Sequence, residues 1–269
     1  MNKREIKDRL SSAFYKWTNS IENKDLRKKV EEDCFIAGGA ISSLLLNEQI
    51  NDIDIYFTSK DVAKELMKYY IKYIANNSDS EFQLQIDDKD EYLSFCIPDS
   101  LGILNIDNNR NEDDDYVPLC ISKNAMTLSN KVQIIFRFID DPWKICDNFD
   151  FIHTRNYYKP DSNNLILNSE SLEYIINKEL FYTSSKYPIA SLFRMKKFIT
   201  RGWKINAGQM MKIVFDINEL NLKNTDIVKE QLIGVDMLYF REILNKIKNK
   251  EEIDKTFFIQ KIDEVFNGE

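Results

Sequence analysis

Cys34-Phe35-Ile36-Ala37-Gly38-Gly39-Ala40-Ile41-Ser42-Ser43-Leu44-Leu45-Leu46, followed by Asp52-Ile53-Asp54-Ile55-Tyr56-Phe57, is the stretch on which the fold turns. The four residues from Cys34 are apolar and read as a buried strand. The glycine pair ends it, and residues 40–46 read as a short helix. Asn47 to Asn51 is a turn, and residues 52–57 alternate as a strand does. Alternation puts Asp52 and Asp54 on one face of that strand. Two carboxylates so close repel each other unless a cation lies between them, and oxygen ligands at this spacing suit Mg²⁺ or Mn²⁺. Small residues at a turn before a helix let a phosphate approach the backbone N–H groups. A metal site and a phosphate site on neighbouring elements are what nucleotidyl transfer needs.

Composition sharpens this. The chain has seven glycines in 269 residues, where a typical chain of that length carries about 19. An adjacent pair in so glycine-poor a chain marks a backbone position with a special demand. A single histidine, His153, excludes any site that needs two His ligands, so the chemistry falls to carboxylates. Four cysteines, Cys34, Cys96, Cys120 and Cys146, stand far apart with no CxxC, which speaks against a zinc ribbon or thioredoxin-type site. They are expected to be reduced, mostly buried thiols of a cytoplasmic protein. No apolar run approaches the roughly 20 residues that span a bilayer, and the charged N-terminus lacks the apolar core of a signal peptide. The net charge of -7 disfavours a broad nucleic-acid surface.

Outward from the central stretch, Ile6, Leu10, Phe14, Trp17 and Ile21 recur at helical spacing, so residues 3–32 read as one or two helices. Ser59 is a good N-cap for a helix with Val62, Leu66, Tyr69 or Tyr70, and Ile74 on one face. Strands are expected at 82–86, 92–97, 118–122 and 131–138. Residues 108–115 form a polar loop whose Asp113-Asp114-Asp115 run reads as solvated. Pro142 begins a short helix to Asp147, and residues 149–153 return to strand alternation. Beyond Pro188 the chain reads as helices over 188–200, 206–219, 225–248 and 253–267. The expectation is an α+β fold: a mixed sheet with flanking helices over residues 1–168, then an all-helical domain over 169–269.

Two further groups are candidates. A third carboxylate on a nearby strand completes a two-metal site, and Asp150, flanked by Phe149 and Phe151, has that form, with Asp140, Asp141 and Asp147 as competitors. Arg194, Lys197 and Arg201 lie at i, i+3 and i+7 on one helical face, an anion-binding footprint on an acidic chain. Trp203 and His153 read as core residues.

The glycine pair, the short helix and Asp52-Ile53-Asp54-Ile55 resemble the head of the DNA polymerase beta-like nucleotidyltransferases, in pattern the branch of CCA-adding enzymes and poly(A) polymerases. That pattern is GG-x-hydrophobic-Arg-Asp-x-Leu-Leu, a short loop, then Asp-x-Asp; here Ser42 and Ser43 stand where the family has Arg and Asp. The resemblance covers residues 34–57 and extends by architecture to about 155. It implies Asp52, Asp54 and Asp150 as catalytic metal ligands for Mg²⁺ or Mn²⁺. It also implies Gly38, Gly39, Ser42, Ser43, Arg194, Lys197 and Arg201 as ligands of an NTP such as ATP. The acceptor would be an RNA 3′ end such as that of tRNA, a protein or a small molecule. The departure at Ser42 and Ser43 motivates the alternative, a binding or structural protein that keeps the fold without catalysis.

Overall fold

In the computed structural model, residues 1–77, 84–88, 92–96, 101–103, 116–232, 256, 259, 260 and 263 are described. The chain divides into two compact units, Met1–Asn177 and Lys178–Glu269. Unit 1 opens with α1 (Lys3–Asn19), capped by Asn2 and Glu5 in a reciprocal capping box, and α2 (Lys24–Asp33), capped by Asn23. β1 (Cys34–Ala37) follows without a loop, then α3 (Gly39–Leu45), β2 (Ile53–Phe57) and α4 (Lys60–Asn77). The Ser59 hydroxyl caps α4 by accepting from the Val62 N–H at 3.4 Å.

β3 (Gln85–Asp88) and β4 (Leu93–Cys96) form a separate antiparallel hairpin. β5 (Leu101–Ile103), β6 (Pro118–Ser122), β7 (Ala125–Leu128) and β8 (Val132–Ile139) join the main sheet. So do β9 (Tyr157–Lys159) and β10 (Asn164–Ile166). The order is β10-β9-β1-β2-β8-β7-β6-β5. β2 and β8 are parallel and the other described neighbours antiparallel, so the sheet is mixed. α5 (Pro142–Asp147) and α6 (Ser169–Asn177) complete unit 1. The described part of unit 2 holds α7 (Pro188–Thr200), α8 (Ala207–Asn218) and α9 (Thr225–Leu232). The α+β class, the mixed sheet with flanking helices and the helical C-terminal region are as the sequence predicts.

Strand alternation divides the sheet's side chains into two sets. Cys34 and Ile36 of β1, with Ile53, Ile55 and Phe57 of β2, point into a core built from α1, α2, α3 and α4. Phe35 and Ala37, with Tyr56, point the other way, under Ile145 and Cys146 of α5. The α1 residues chosen by periodicity, Ile6, Leu10, Phe14 and Trp17, are all at most 1% exposed. Tyr70 rather than Tyr69 takes the fully buried α4 position. Its hydroxyl accepts from the Trp17 indole N–H at 2.9 Å, and burial pushes its pKa up. Tyr69 is half-buried and accepts from the Glu22 N–H at 3.3 Å.

Three expectations change. Residues 149–153 do not form a strand: Phe151 makes a single bridge, and Ile152–Thr154 is a 3-10 turn. Hydrophobic alternation over five residues fits a buried turn as well as a strand, because Phe151, Ile152 and His153 are all buried. The strand expected at 82–86 runs over Gln85–Asp88, where Asp88 is held by Lys60 and Lys64 of α4. β7 and β9 are too short to show a period, and α6 falls within the region expected to be helical. Of the thiols, Cys34 and Cys146 are buried, Cys120 is half-exposed and Cys96 exposed, because Cys96 ends a hairpin strand on its outer side. Asp113, Asp114 and Asp115, and the helical stretches expected at 233–248 and most of 253–267, lie outside the described residues. No described helix is long and apolar enough to cross a membrane.

Tyr70→Phe leaves the buried Trp17 N–H without its acceptor and should lower unfolding free energy by about 1–3 kcal/mol, read by urea denaturation, with Tyr69→Phe costing less. Burial also pushes the Cys146 thiol up to about 12. With a thiol reagent at pH 8, Cys96 should react fastest, and Cys34 and Cys146 only after denaturation; prompt labelling of Cys146 would contradict the packing under α5.

Candidate functional site

Register builds the site. β1 and β2 pair antiparallel with Ala37 opposite Asp54, so both side chains stand on the α5 side of the sheet. Gly38 is the next residue. Its φ of 92° and ψ of -153° belong to a region that side-chain-bearing residues avoid. A Cβ built on Gly38 would lie 3.2 Å from the Asp54 Oδ2, closer than carbon and oxygen normally pack. Glycine is therefore required twice, once for the backbone and once for the carboxylate. Gly39 has open space where a side chain would be. Asp52 is exposed just before β2, which begins at Ile53 rather than at the expected residue 52, and Asp54 is half-buried within the strand.

Ser42 and Ser43 are buried in α3, at 3% and 5% exposure. The Ser42 hydroxyl donates to the His153 carbonyl at 2.6 Å. The same carbonyl accepts from the Ser171 hydroxyl at 3.0 Å and from the Asn156 side-chain amide at 3.3 Å. Asn156 Nδ2 also donates to the Ser171 Oγ at 2.6 Å, and its Oδ1 accepts from the Asn168 N–H at 3.0 Å. This fully buried hub joins α3 to the 3-10 turn and to α6. Sequence reasoning found Ser42 but missed Asn156 and Ser171, for which the sequence offers no spacing signal. The hub also commits the Ser42 proton to structure.

Asp150 is 7% exposed, at the bend that precedes the 3-10 turn. Arg155 braces this bend. Its guanidinium pairs with Asp147 at 3.0 Å and donates to the Phe149 carbonyl at 3.0 Å. Asp140 and Asp141 lie at the start of α5, where Asp140 accepts from Lys144, which lowers the Asp140 pKa. Among the described residues no three acidic, His or Cys side chains are grouped so as to hold a metal ion. The carboxylates nearest the Gly38 turn in strand register are Asp54, opposite Ala37, and Asp52, two residues before it. Such a pair suits Mg²⁺, which is commonly held by one or two carboxylates with substrate phosphates and water completing its shell.

In unit 2, Arg194, Lys197 and Arg201 are half-buried along α7, and the Arg201 guanidinium lies 5.9 Å from the Phe198 ring centre. Trp203 is 4% exposed and packs on Phe198 at 5.5 Å between centroids, a core position. His153 is also fully buried, its ring tilted against Phe151 at 5.9 Å.

Replacement of Gly38 by Ala should strain the turn by about 1–3 kcal/mol. It should also push Asp54 aside. In a double-mutant cycle with Asp54→Ala, the Gly38→Ala penalty should shrink, since the carboxylate no longer occupies the space. Strict additivity in thermal unfolding would show that the contact is not the constraint.

A sequence-family profile described as "Gabija anti-defense 2 family protein" matches residues 8–178. A curated protein, Gabija anti-defense 2 of Bacillus phage SPbetaL7, is 24% identical over 232 residues, which cover 83% of this chain and 48% of that protein. The chain therefore spans about half the length of that relative. Among solved structures, the Thermotoga maritima CCA-adding enzyme complexed with tRNA is similar at 13% identity and a TM-score of 0.43, over 94% of this chain and 53% of that one. The Bacillus stearothermophilus CCA-adding enzyme in complex with CTP gives 13% and 0.40, over 87% and 52%. At these scores neither bears on function.

Proposed function

The chain belongs to the Gabija anti-defense 2 family, and we propose that it is a metal-dependent nucleotidyltransferase, moving an NMP from an NTP to a hydroxyl acceptor with release of pyrophosphate. The observation that carries this reading is the contact between the Gly38 turn and the Asp54 carboxylate. Side-chain-free backbone adjoining a carboxylate pair is what an NTP with Mg²⁺ or Mn²⁺ requires. Asp52 and Asp54 would hold the metal, which would offset phosphate charge and ease ionisation of the attacking hydroxyl. Gly38 and Gly39 would present the backbone to the triphosphate, with Ser43 beside them. Ser42 would act through the His153 carbonyl, fixing α3 at the distance the turn needs. Asp150 would take the proton of the attacking hydroxyl. Arg194, Lys197 and Arg201 would form an anion-binding face of unit 2 in their own right.

The acceptor class is an RNA 3′ end, a protein or a small molecule. The relative's name and phage source support a reading in which the transfer counters a host defence so named. The second reading, a protein that binds through this fold without catalysis, draws support from Ser42 and Ser43 standing where the resembling family has Arg and Asp. It also draws support from the absence, among the described residues, of a three-carboxylate group.

Incubation with each labelled NTP, Mg²⁺ or Mn²⁺ and either RNA or host protein extract separates the two. Label should enter one acceptor, and Asp52→Asn or Asp54→Asn should reduce it at least about 100-fold, as loss of a metal ligand or of its support commonly does. NTP binding without transfer would favour the second reading; neither binding nor transfer would defeat the first.

A further inference from the structure

A second surface of unit 1 has the chemistry of a ligand site. A groove of about 680 Å³ runs along the outer flank of α1, lined by Asp8, Arg9, Ser12, Lys16, Tyr116 and Asn130 among others. It lies on the α1 side of the sheet, whereas Asp54 faces the α5 side. Two of its side chains are exposed cations, Arg9 and Lys16, and neither has a carboxylate within ion-pair distance among the described residues. They stand on one helix seven residues apart, about 10 Å at 1.5 Å per residue. Asp8 also lines the groove, but its carboxylate turns to Arg4, at 3.9 Å. Across from α1 stands Tyr116, half-buried, with its hydroxyl pKa raised by that burial. Asn130, whose backbone lies in the left-handed region at a φ of 60°, also lines the groove.

Cations spaced along one wall and an aromatic ring on the other are the two parts by which proteins hold single-stranded nucleic acid. The cations follow the phosphates and the ring takes a base. We propose that this groove binds a short single-stranded segment of nucleic acid, with phosphates on Arg9 and Lys16 and a base against Tyr116. Ser12 and Asn19, also on the lining, add neutral donors between and beyond the cations. The aromatic wall favours a stacked base over an acidic peptide, which has no ring to place against Tyr116. The site is separate from the Gly38 turn and does not depend on transfer activity.

The test is fluorescence anisotropy of a labelled ribo-oligonucleotide of about five residues titrated with the full chain at several salt concentrations. The double variant Arg9→Gln, Lys16→Gln should bind at least about tenfold more weakly. Its slope of log affinity against log salt should shrink by about 1.4, or about 0.7 for each phosphate that no longer meets a cation. Tyr116→Ala should weaken binding roughly tenfold and Tyr116→Phe should not, since the ring rather than the hydroxyl takes the base. Unchanged thermal unfolding of each variant shows that folding is intact; a variant that unfolds is replaced by Arg9→Lys and Lys16→Arg, which should bind as the native chain does. Asp54→Asn should bind as the native chain does even where it abolishes transfer. Loss of binding in Asp54→Asn, unchanged affinity in the double variant, or equal competition by inorganic phosphate or polyglutamate would each overturn the proposal.

Discussion

The Asp54 carboxylate occupies the space in front of Gly38, and much of unit 1 can be understood as the means of keeping it there. The strand pairing does the first part. Ala37 opposite Asp54 is a register fixed by what lies on either side, since Cys34, Ile36, Ile53, Ile55 and Phe57 must all reach the same core. A slip of one residue would exchange the two faces. It would drive Asp54 into the apolar core under α1 and α4, where a carboxylate without partners is strongly disfavoured. The hydrophobic pattern and the position of the carboxylate are therefore one constraint.

The two faces of the sheet differ in depth. One is covered by four helices and holds the large fully buried side chains Trp17, Phe14 and Phe57. The other carries the short α5, with Phe35, Ala37, Tyr56, Ile145 and Cys146 as its small core. A polar strand position can survive only where cover is thin, and Asp54 stands on that side. The His153 hub supplies rigidity that the thin face lacks. Three side-chain donors on one carbonyl tie α3, the 3-10 turn and α6 together, and the helix that begins at Gly39 is held from beneath.

Much of this was legible in the sequence, for reasons that differ by residue. β1, α3 and β2 were readable because an apolar run, a glycine pair and strict alternation, each ambiguous alone, occur together in that order. The helices α7 and α8 were readable from period and from Pro188 at an N-terminal position. The stretch 149–153 was not, because alternation of buried and polar residues over five positions is common to a strand and a buried turn. β9 and β10 are three residues each, too short to show a period. In the site, the closeness of Gly38 to Asp54 follows from pairing between segments 17 residues apart in number, which no local window contains. The partners of the His153 carbonyl are Ser, Ser and Asn, residue types that occur throughout the chain and announce nothing by themselves.

The two serines after the glycines are the sharpest departure from the pattern that the sequence resembles, and the structure gives them a physical sense. Both sit buried, where an Arg and an Asp would have to be paired and hydrogen-bonded to offset their desolvation. A serine needs far less: the Ser42 hydroxyl is satisfied by one carbonyl. The support of α3 at this point is therefore neutral, with the Ser42 hydroxyl on the His153 carbonyl. No cationic residue stands in α3. On the proposed reading, a triphosphate at the turn would meet a carboxylate-held metal, backbone N–H groups and the Ser43 hydroxyl but no α3 cation, so its binding should depend more steeply on the metal than in a site with an arginine there.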